Sequence, residues 1–575
     1  MVNKFISKGK QILISPQSTI LSAATVIMLM IVASRVLGLV RQRALAYYFT
    51  AEELSLFFSA FRLPDLVFEI LVFGTFTSAF IPVFTRVLKD SDKEAWKLAA
   101  SIVNLGLVLF AFAAILIGIF AEPVYTFLTP GFNPVEQQVV VQLSRILFLA
   151  QGFFVISYVL AGSLESMKRF TIPAMAPIFY NLGIIAITIL FSEKWGLLAP
   201  TLGVFLGAFL HFAVQLPFAY KFGFRFSRET IIDANVKKIG KLAAPKVVEV
   251  AFLQISKTVE LFLASLVSTA SYTYFTFGNT LQLLPVGLFG VSIAKAALPT
   301  LSDEADSMDK FTHTLWKTLY EMVFLILPFT AIFIVLDIPI VRLVYGTEIF
   351  SWESTVQTGA VLTAFAAGIV FQAVNALLAR AFYALQDTKT PVIVSISSIV
   401  LIIILDFVFI KHFSLSTWGL AAAFSIGSCF QSITLFYLIS KKINGGVEMK
   451  MITPFIKFAS AAFASGLVMY ILLKFFDRSV WVKRLSFLTN IETIKDLNFE
   501  SFVLDTRYTL NVLILTILVA GVGISVYVLI SILLNTKEVW TFINLGKRII
   551  TKHKIGRLSD KEEEPLSPPT SDVSG

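Results

Sequence analysis

Between Ser34 and Phe84 the sequence sets six charged side chains into two long apolar stretches: Arg35, Arg41 and Arg43 in the first, Arg62, Asp65 and Glu69 in the second. A charge at membrane depth costs roughly 2.5–3.5 kcal/mol on insertion scales, so it normally faces a bundle interior or a wet cavity. Several guanidinium groups around one cavity would bind an anionic headgroup, because their planar fork matches phosphate oxygens. Arg41 and Arg43 either belong to such a cavity or sit at a membrane interface and snorkel to water; Arg35 and Arg62 lie deeper in their stretches. At helical pitch Arg62, Asp65 and Glu69 fall within about 60° of one another. Two readings stay open: a local Arg62–Asp65 ion pair that eases insertion, or a cavity face whose arginine changes partner when an anionic substrate arrives. Pro64, beside them, can kink the helix and free backbone carbonyls.

A second charged stripe, Lys246, Glu249, Lys257 and Glu260, falls within about 80° on a helical wheel. It is either a structural salt-bridge ladder or a further cavity face, since lipid would not tolerate it. Lys295 is another candidate cavity cation. Asp406 is an isolated carboxylate among apolar residues, and such a group is protonated, hydrogen-bonded or bound to a cation. The one cysteine, Cys429, and four scattered histidines exclude a disulfide framework and zinc chemistry of the soluble kind. There is no Walker loop, HExxH or GxSxG. Transport by this chain would run on an ion gradient, the membrane potential or the substrate's own gradient.

The elements that position these residues must be membrane-spanning helices. Of 575 residues 57% are hydrophobic and only 15% charged, and the apolar runs are continuous over about 20 residues, too long for barrel strands. The expectation is an all-α polytopic membrane protein with fourteen spans, near 18–47, 54–86, 98–121, 138–166, 172–191, 197–220, 242–268, 271–300, 314–336, 355–385, 391–410, 417–440, 454–475 and 509–535. The net charge of +10 is distributed by topology and does not mark a nucleic-acid binder. Arg86, Lys89, Lys93, Lys97, Lys168, Arg169 and the run from Lys221 to Lys246 fall in alternate loops, while the other loops hold little beyond Lys194, Arg342 and Lys411. That places both termini in the cytoplasm. Lys4, Lys8 and Lys10 precede an apolar run that reads as an uncleaved first span.

The chain repeats itself at an offset of about 217 residues. Phe73-Gly74 with Pro82 recurs as Phe289-Gly290 with Pro299, Glu122-Pro123-Val124 as Ile338-Pro339-Ile340, and the turn ending in Pro173 as the turn ending in Pro391. Six spans per repeat keep the same orientation, so two parallel six-helix lobes, residues 1–222 and 223–441, are expected to face each other across a substrate cavity. Residues 442–535 add two helices around a long outer segment, Asp477 to Arg507. Residues 536–575 read as a basic stretch on the anionic inner leaflet followed by a tail, Ser559 to Gly575, of disordered composition.

SRVLGLVR at Ser34–Arg41, FRLP at Phe61–Pro64, FGTFTSAFIPVF at Phe73–Phe84, LPVGLFGVSIAKAALPTLS at Leu284–Ser302 and RAFYALQDTKTPV at Arg380–Val392 together resemble the MurJ/MviN family of the MOP superfamily. The resemblance spans roughly residues 18–535. It implies a flippase that carries the undecaprenyl-pyrophosphate-linked peptidoglycan precursor, lipid II, across the bacterial cytoplasmic membrane, with membrane lipids and cell-wall synthesis proteins as further partners. The family's cavity arginines carry over to Arg35 and Arg41, and its basic residue before the Leu-Pro pair to Arg62. Ser55 stands at the family's aspartate, Phe68 and Glu69 at its paired arginines, Phe73 at its glutamate and Thr280 at its arginine of the eighth helix. Lys257 or Lys295 is expected to replace some of that charge. Some members hold sodium on carboxylates of the seventh and eleventh helices; Glu260 and Asp406 resemble two of those ligands, while Ile402 takes the place of a neighbouring asparagine. Another lipid-linked oligosaccharide flippase of the MOP type and a non-transporting cell-wall scaffold are the alternatives. Loss of Arg35, Arg41 and Arg62 would leave only a scaffold unharmed.

Overall fold

The computed structural model describes residues 20–73, 79–227, 230–443, 449–476 and 509–542. Gly74 of the repeat, the 477–507 segment and residues 543–575 of the basic stretch and tail lie outside them, as do the side chains of Lys246 and Glu249. All regular structure among the described residues is helical. In chain order the first half comprises α1 (Ile20–Tyr48), α2 (Ala51–Ala60), α3 (Arg62–Phe68), α4 (Ile81–Asp90), α5 (Asp92–Ile119), α6 (Ala121–Leu128), α7 (Pro134–Ser166), α8 (Thr171–Trp195), α9 (Leu198–Ala213) and α10 (Leu216–Lys221). The second half comprises α11 (Ala234–Val267), α12 (Ser271–Pro285), α13 (Ser292–Asp303), α14 (Met308–Val335), α15 (Asp337–Tyr345), α16 (Trp352–Ala366), α17 (Ile369–Ala384), α18 (Lys389–Phe407) and α19 (Trp418–Lys442). Two more, α20 (Met449–Phe476) and α21 (Thr509–Leu533), pack on each other and on α14.

Short polar signals begin some of these helices. The acidic break at Glu52-Glu53 is half of a capping box: the Thr50 hydroxyl accepts from the Glu53 amide at 3.3 Å, and Glu53 Oε2 accepts from the Thr50 amide at 2.9 Å. Asn133 and Glu136 repeat the device at the start of α7. Small residues then let helices close up, which is how apolar helices associate where burial in lipid offers no net driving force. In the α8–α9 pair a methyl added at Gly207 would lie 2.5 Å from the Tyr180 carbonyl oxygen, so only glycine admits this approach.

By length and apolarity, eleven described helices can cross a membrane, or twelve if the bent pair α16–α17 is one span. The expected count of fourteen is not reached on that measure. The second expected span, 54–86, is interrupted at Phe61 and gives way to a π-helical turn at Glu69–Phe73. The tenth bends by 42° between α16 and α17, where the Ser425 hydroxyl takes the Ala364 carbonyl at 2.7 Å.

The repeat offset appears in the backbone. π-Helical turns occupy Glu69–Phe73 and Val286–Val291, 217 residues apart at their starts. Lys168 (φ 59°) and Gln386 (φ 58°) are left-handed residues at corresponding turns. Both turns close helices with the same six-to-one bond, Arg169 amide to Leu164 oxygen and Asp387 amide to Phe382 oxygen, each 2.9 Å. The helices run between two ends. One carries the basic loop residues, Lys93, Lys168, Lys221 and Lys389 among them, and is the basic end; the opposite end carries the α1–α2 turn, α6 and α15.

Candidate functional site: a charged cavity between the two halves

Pro64 organises the first half of the site. Lacking an N–H, it cannot bond the Ala60 carbonyl four residues back. The Tyr125 hydroxyl from α6 donates to that oxygen at 2.9 Å, with the Ser144 hydroxyl 3.0 Å from the same phenol. The interruption between α2 and α3 is thereby fixed, and it turns Arg62 and Asp65 toward the second half.

Arg62 is 4% exposed, yet Asp65, one turn along the helix, does not pair with it. Arg62 donates instead to the side-chain oxygen of Gln254 on α11, and the Tyr272 hydroxyl on α12 lies within its electrostatic reach. Its Nε has no hydrogen-bond partner among the described residues. Asp65 accepts from Gln151 Nε2 on α7 at 2.6 Å. The local ion pair that the sequence allowed is therefore not formed; two neutral amides from distant helices hold the charges separately.

Above this level a cavity of about 410 Å³ opens between the halves, lined by Arg41, Asp65, Gln151, Tyr180, Tyr272 and Thr280 among others. Arg41 lies over the Tyr180 ring, 5.8 Å from its centroid. Lys257, exposed on α11, acts electrostatically on Asp65 and Glu260 and so belongs to the same region. Arg35 is exposed and its guanidinium rests on Gly287 of the second half: a methyl built there would lie 2.7 Å from Nη2. Lys295 is exposed on α13, and no hydrogen bond or ion pair joins it to another charged side chain among the described residues. Thus the structure brings Arg41, Arg62, Asp65, Lys257 and Glu260 together, sets Arg35 at the interface and leaves Lys295 apart.

On its other side Glu260 faces a second buried carboxylate, Asp406. Asp406 is fully buried and neither carboxylate oxygen has a hydrogen-bond partner among the described residues. Glu260 is within electrostatic reach and accepts from the Ser256 hydroxyl at 3.3 Å. Two hard carboxylates and a hydroxyl suit a small alkali cation. Ile402 faces Gly427, where a methyl would lie 2.2 Å from Ile402 Cγ1, so that neighbour contributes packing and no oxygen.

Side chains not foreseen from the sequence tie the halves together at the opposite end. Arg43 reaches the second half: Nη1 donates to the carbonyls of Leu343 at 2.7 Å and Val344 at 3.2 Å, in the last turn of α15, where a helix concentrates negative potential. Tyr345 donates to Gln42 Oε1 at 2.8 Å and Gln42 Nε2 to Thr280 at 3.0 Å. Thr347 and Thr273 donate to the Ala46 and Ala51 carbonyls at 2.6 and 2.7 Å. In helical wheels these were ordinary polar residues; only the tertiary arrangement gives them partners.

Two helical halves that enclose a charged cavity are a fold shared with solved membrane transporters. The fold matches a solved structure described as "Lipid II flippase MurJ, inward closed conformation" with a TM-score of 0.70 at 24% identity, over 87% of this chain and 98% of that one. It also matches an inward-facing MATE-family multidrug resistance transporter of the MOP superfamily, with a TM-score of 0.61 at 14% identity over 71% and 94% of the two chains. The chain belongs to the MurJ family, whose model, described as lipid II flippase MurJ, covers residues 45–491. Among curated relatives, the Vibrio cholerae protein named "Probable lipid II flippase MurJ" is 29% identical over 439 residues, 73% of this chain and 82% of that one. The Burkholderia cenocepacia protein named "Lipid II flippase MurJ" is 26% identical over 424 residues, 71% and 81% of the two.

Proposed function

We propose that the chain flips lipid II from the inner to the outer leaflet of the bacterial inner membrane by alternating access, and that the cavity between its halves is the route. It is an integral membrane transporter and not an enzyme. The observation that carries the reading of the cavity is Arg62: a buried guanidinium bonded only to neutral groups, with Nε unpaired. Asp65 and Glu260 act on it only at a distance, so the guanidinium makes no direct ion pair among the described residues, and a diphosphate offers several charged oxygens that can bond it. Arg41, Arg35 and Lys257 add positive charge around it, so the headgroup would occupy the cavity while the prenyl chain stays in lipid. Lys295 supplies long-range charge at most.

The distribution of basic residues supports an orientation with both termini in the cytoplasm. The basic end is then the entry side, and the bonds of Arg43, Gln42, Thr347 and Thr273 close the exit side. They must break as one half, acting as a lobe, rocks on the other.

Glu260 and Asp406 would hold a sodium ion, whose charge offsets two buried carboxylates. If so, sodium raises the melting temperature of the wild type over that in potassium, and Asp406→Asn abolishes the difference. An equal sodium effect in the variant contradicts the assignment. The cavity reading itself is tested by complementation in cells depleted of their own lipid II flippase. Rescue by the wild type and not by well-expressed Arg62→Gln supports it; rescue by both removes Arg62 from transport.

A further inference from the structure

We propose that Gln254 is a positioning residue: it parks Arg62 across the interface between the two halves, and an arriving diphosphate takes Arg62 from it and so releases that contact. The inference rests on the reading that the diphosphate meets Arg62. Four observations carry it. Arg62 belongs to α3 of the first half and Gln254 to α11 of the second, so their bond bridges the interface. Both side chains are buried, 4% and 2% exposed. The acidic partner within the same helix is occupied elsewhere, because Gln151 donates to Asp65. The Nε edge of the guanidinium has no acceptor.

The chemistry sets the direction of exchange. An amide oxygen is a neutral acceptor, whereas a diphosphate oxygen carries charge and forms the stronger, shorter bond to guanidinium. Diphosphate therefore displaces Gln254, and the reverse happens when it leaves. A glutamate at this position would hold Arg62 in a permanent buried pair; a leucine would leave it unheld. Gln254 is the intermediate choice, a bond strong enough to orient the arginine and weak enough to yield. Capture of the headgroup and loosening of the interface become one event. The energy that reaches the moving halves is the difference in affinity between two positions of Arg62, as any ligand-driven shift requires.

The test uses the full chain in lipid nanodiscs with inorganic pyrophosphate as the probe. Binding is followed by calorimetry and the separation of the halves by spin labels at Lys93→Cys and Lys310→Cys, both exposed at the basic end, in a Cys429→Ser background. In the wild type pyrophosphate should shift the label distance. Gln254→Leu should show the shifted distance without ligand and bind pyrophosphate at least as tightly as the wild type. Gln254→Glu should bind about tenfold or more weakly and keep its distance unmoved. Gln254→Asn, too short to reach, should follow leucine and guards against a folding defect in either variant. If Gln254→Leu and Gln254→Glu both match the wild type while Arg62→Gln loses binding, the cavity reading stands and the role of Gln254 falls. Binding lost in Gln254→Leu as in Arg62→Gln also overturns it, since Gln254 would then be part of the anion site. Wild-type binding by Arg62→Gln overturns both readings.

Discussion

Arg62 shows how much a residue's type reveals and where that stops. An arginine next to Pro64 in an apolar helix could be assigned to a cavity from cost alone. Its partners could not be read, because Gln254, Gln151 and Tyr272 lie up to 210 residues away and are neutral polar residues of the kind any long helix contains. Arg35 was legible in the same way, but not its seat on Gly287. That seat makes a prediction. Gly287→Ala puts a methyl against the guanidinium of Arg35, the mobile end of a long side chain, so the arginine moves and the fold does not. Transport in the complementation assay should fall while the melting temperature stays within about 1 °C of the wild type, a shift worth about 1 kcal/mol for a chain of this length. A drop in both would show that the site is a packing contact and no more. For Arg43 the sequence left two readings open, since depth alone cannot distinguish a side chain reaching for water from one reaching for a helix end.

The elements follow apolar run length closely, and depart from it where a backbone carbonyl loses its donor. Pro64 signalled the break in the second span, but the residue that stabilises it, Tyr125, comes from α6 and could not be inferred. Tyr125→Phe keeps the ring and leaves the buried Ala60 carbonyl without a donor. A cost of about 1–3 kcal/mol is expected, measured as a lower melting temperature, with loss of transport because α3 carries Arg62. An unchanged melting temperature would mean that water or a shifted helix end satisfies the carbonyl. The opposite end of the bundle can be tested separately. Arg43→Met removes two bonds to the last turn of α15 and should widen a spin-label distance across that end in the absence of substrate. No widening would show that the hydrogen bonds of Gln42, Thr347 and Thr273 suffice.

For the whole molecule the repeat was the most legible feature. Proline-ended turns and glycine pairs punctuate helices, so their recurrence in the sequence becomes recurrence of π turns and left-handed residues in the backbone. How the halves sit on each other was not legible, because it depends on bonds between residues with no pattern in common. One inter-helix tie at the basic end reports on pH. Lys442 hydrogen-bonds Asp387, and with the Thr390 amide it holds the Asp387 carboxyl down at about 2, below the usual range. A depressed carboxylate stabilises the fold above its unfolded pKa, and the contribution is lost as pH falls through the folded value. Asp387→Asn should therefore be less stable than the wild type by a constant margin above about pH 4, and the margin should vanish toward pH 2. A margin independent of pH would show that the pair does not contribute through charge. The central claim, that the headgroup's charge is met by arginines inside the cavity, is tested most directly by lipid II flipping in proteoliposomes. Wild type should translocate lipid II; Arg62→Gln and Arg41→Gln, inserted to the same level, should be slower by about tenfold or more, the effect of losing about 1.4 kcal/mol of binding in the translocating state. Wild-type rates in both variants would contradict the account.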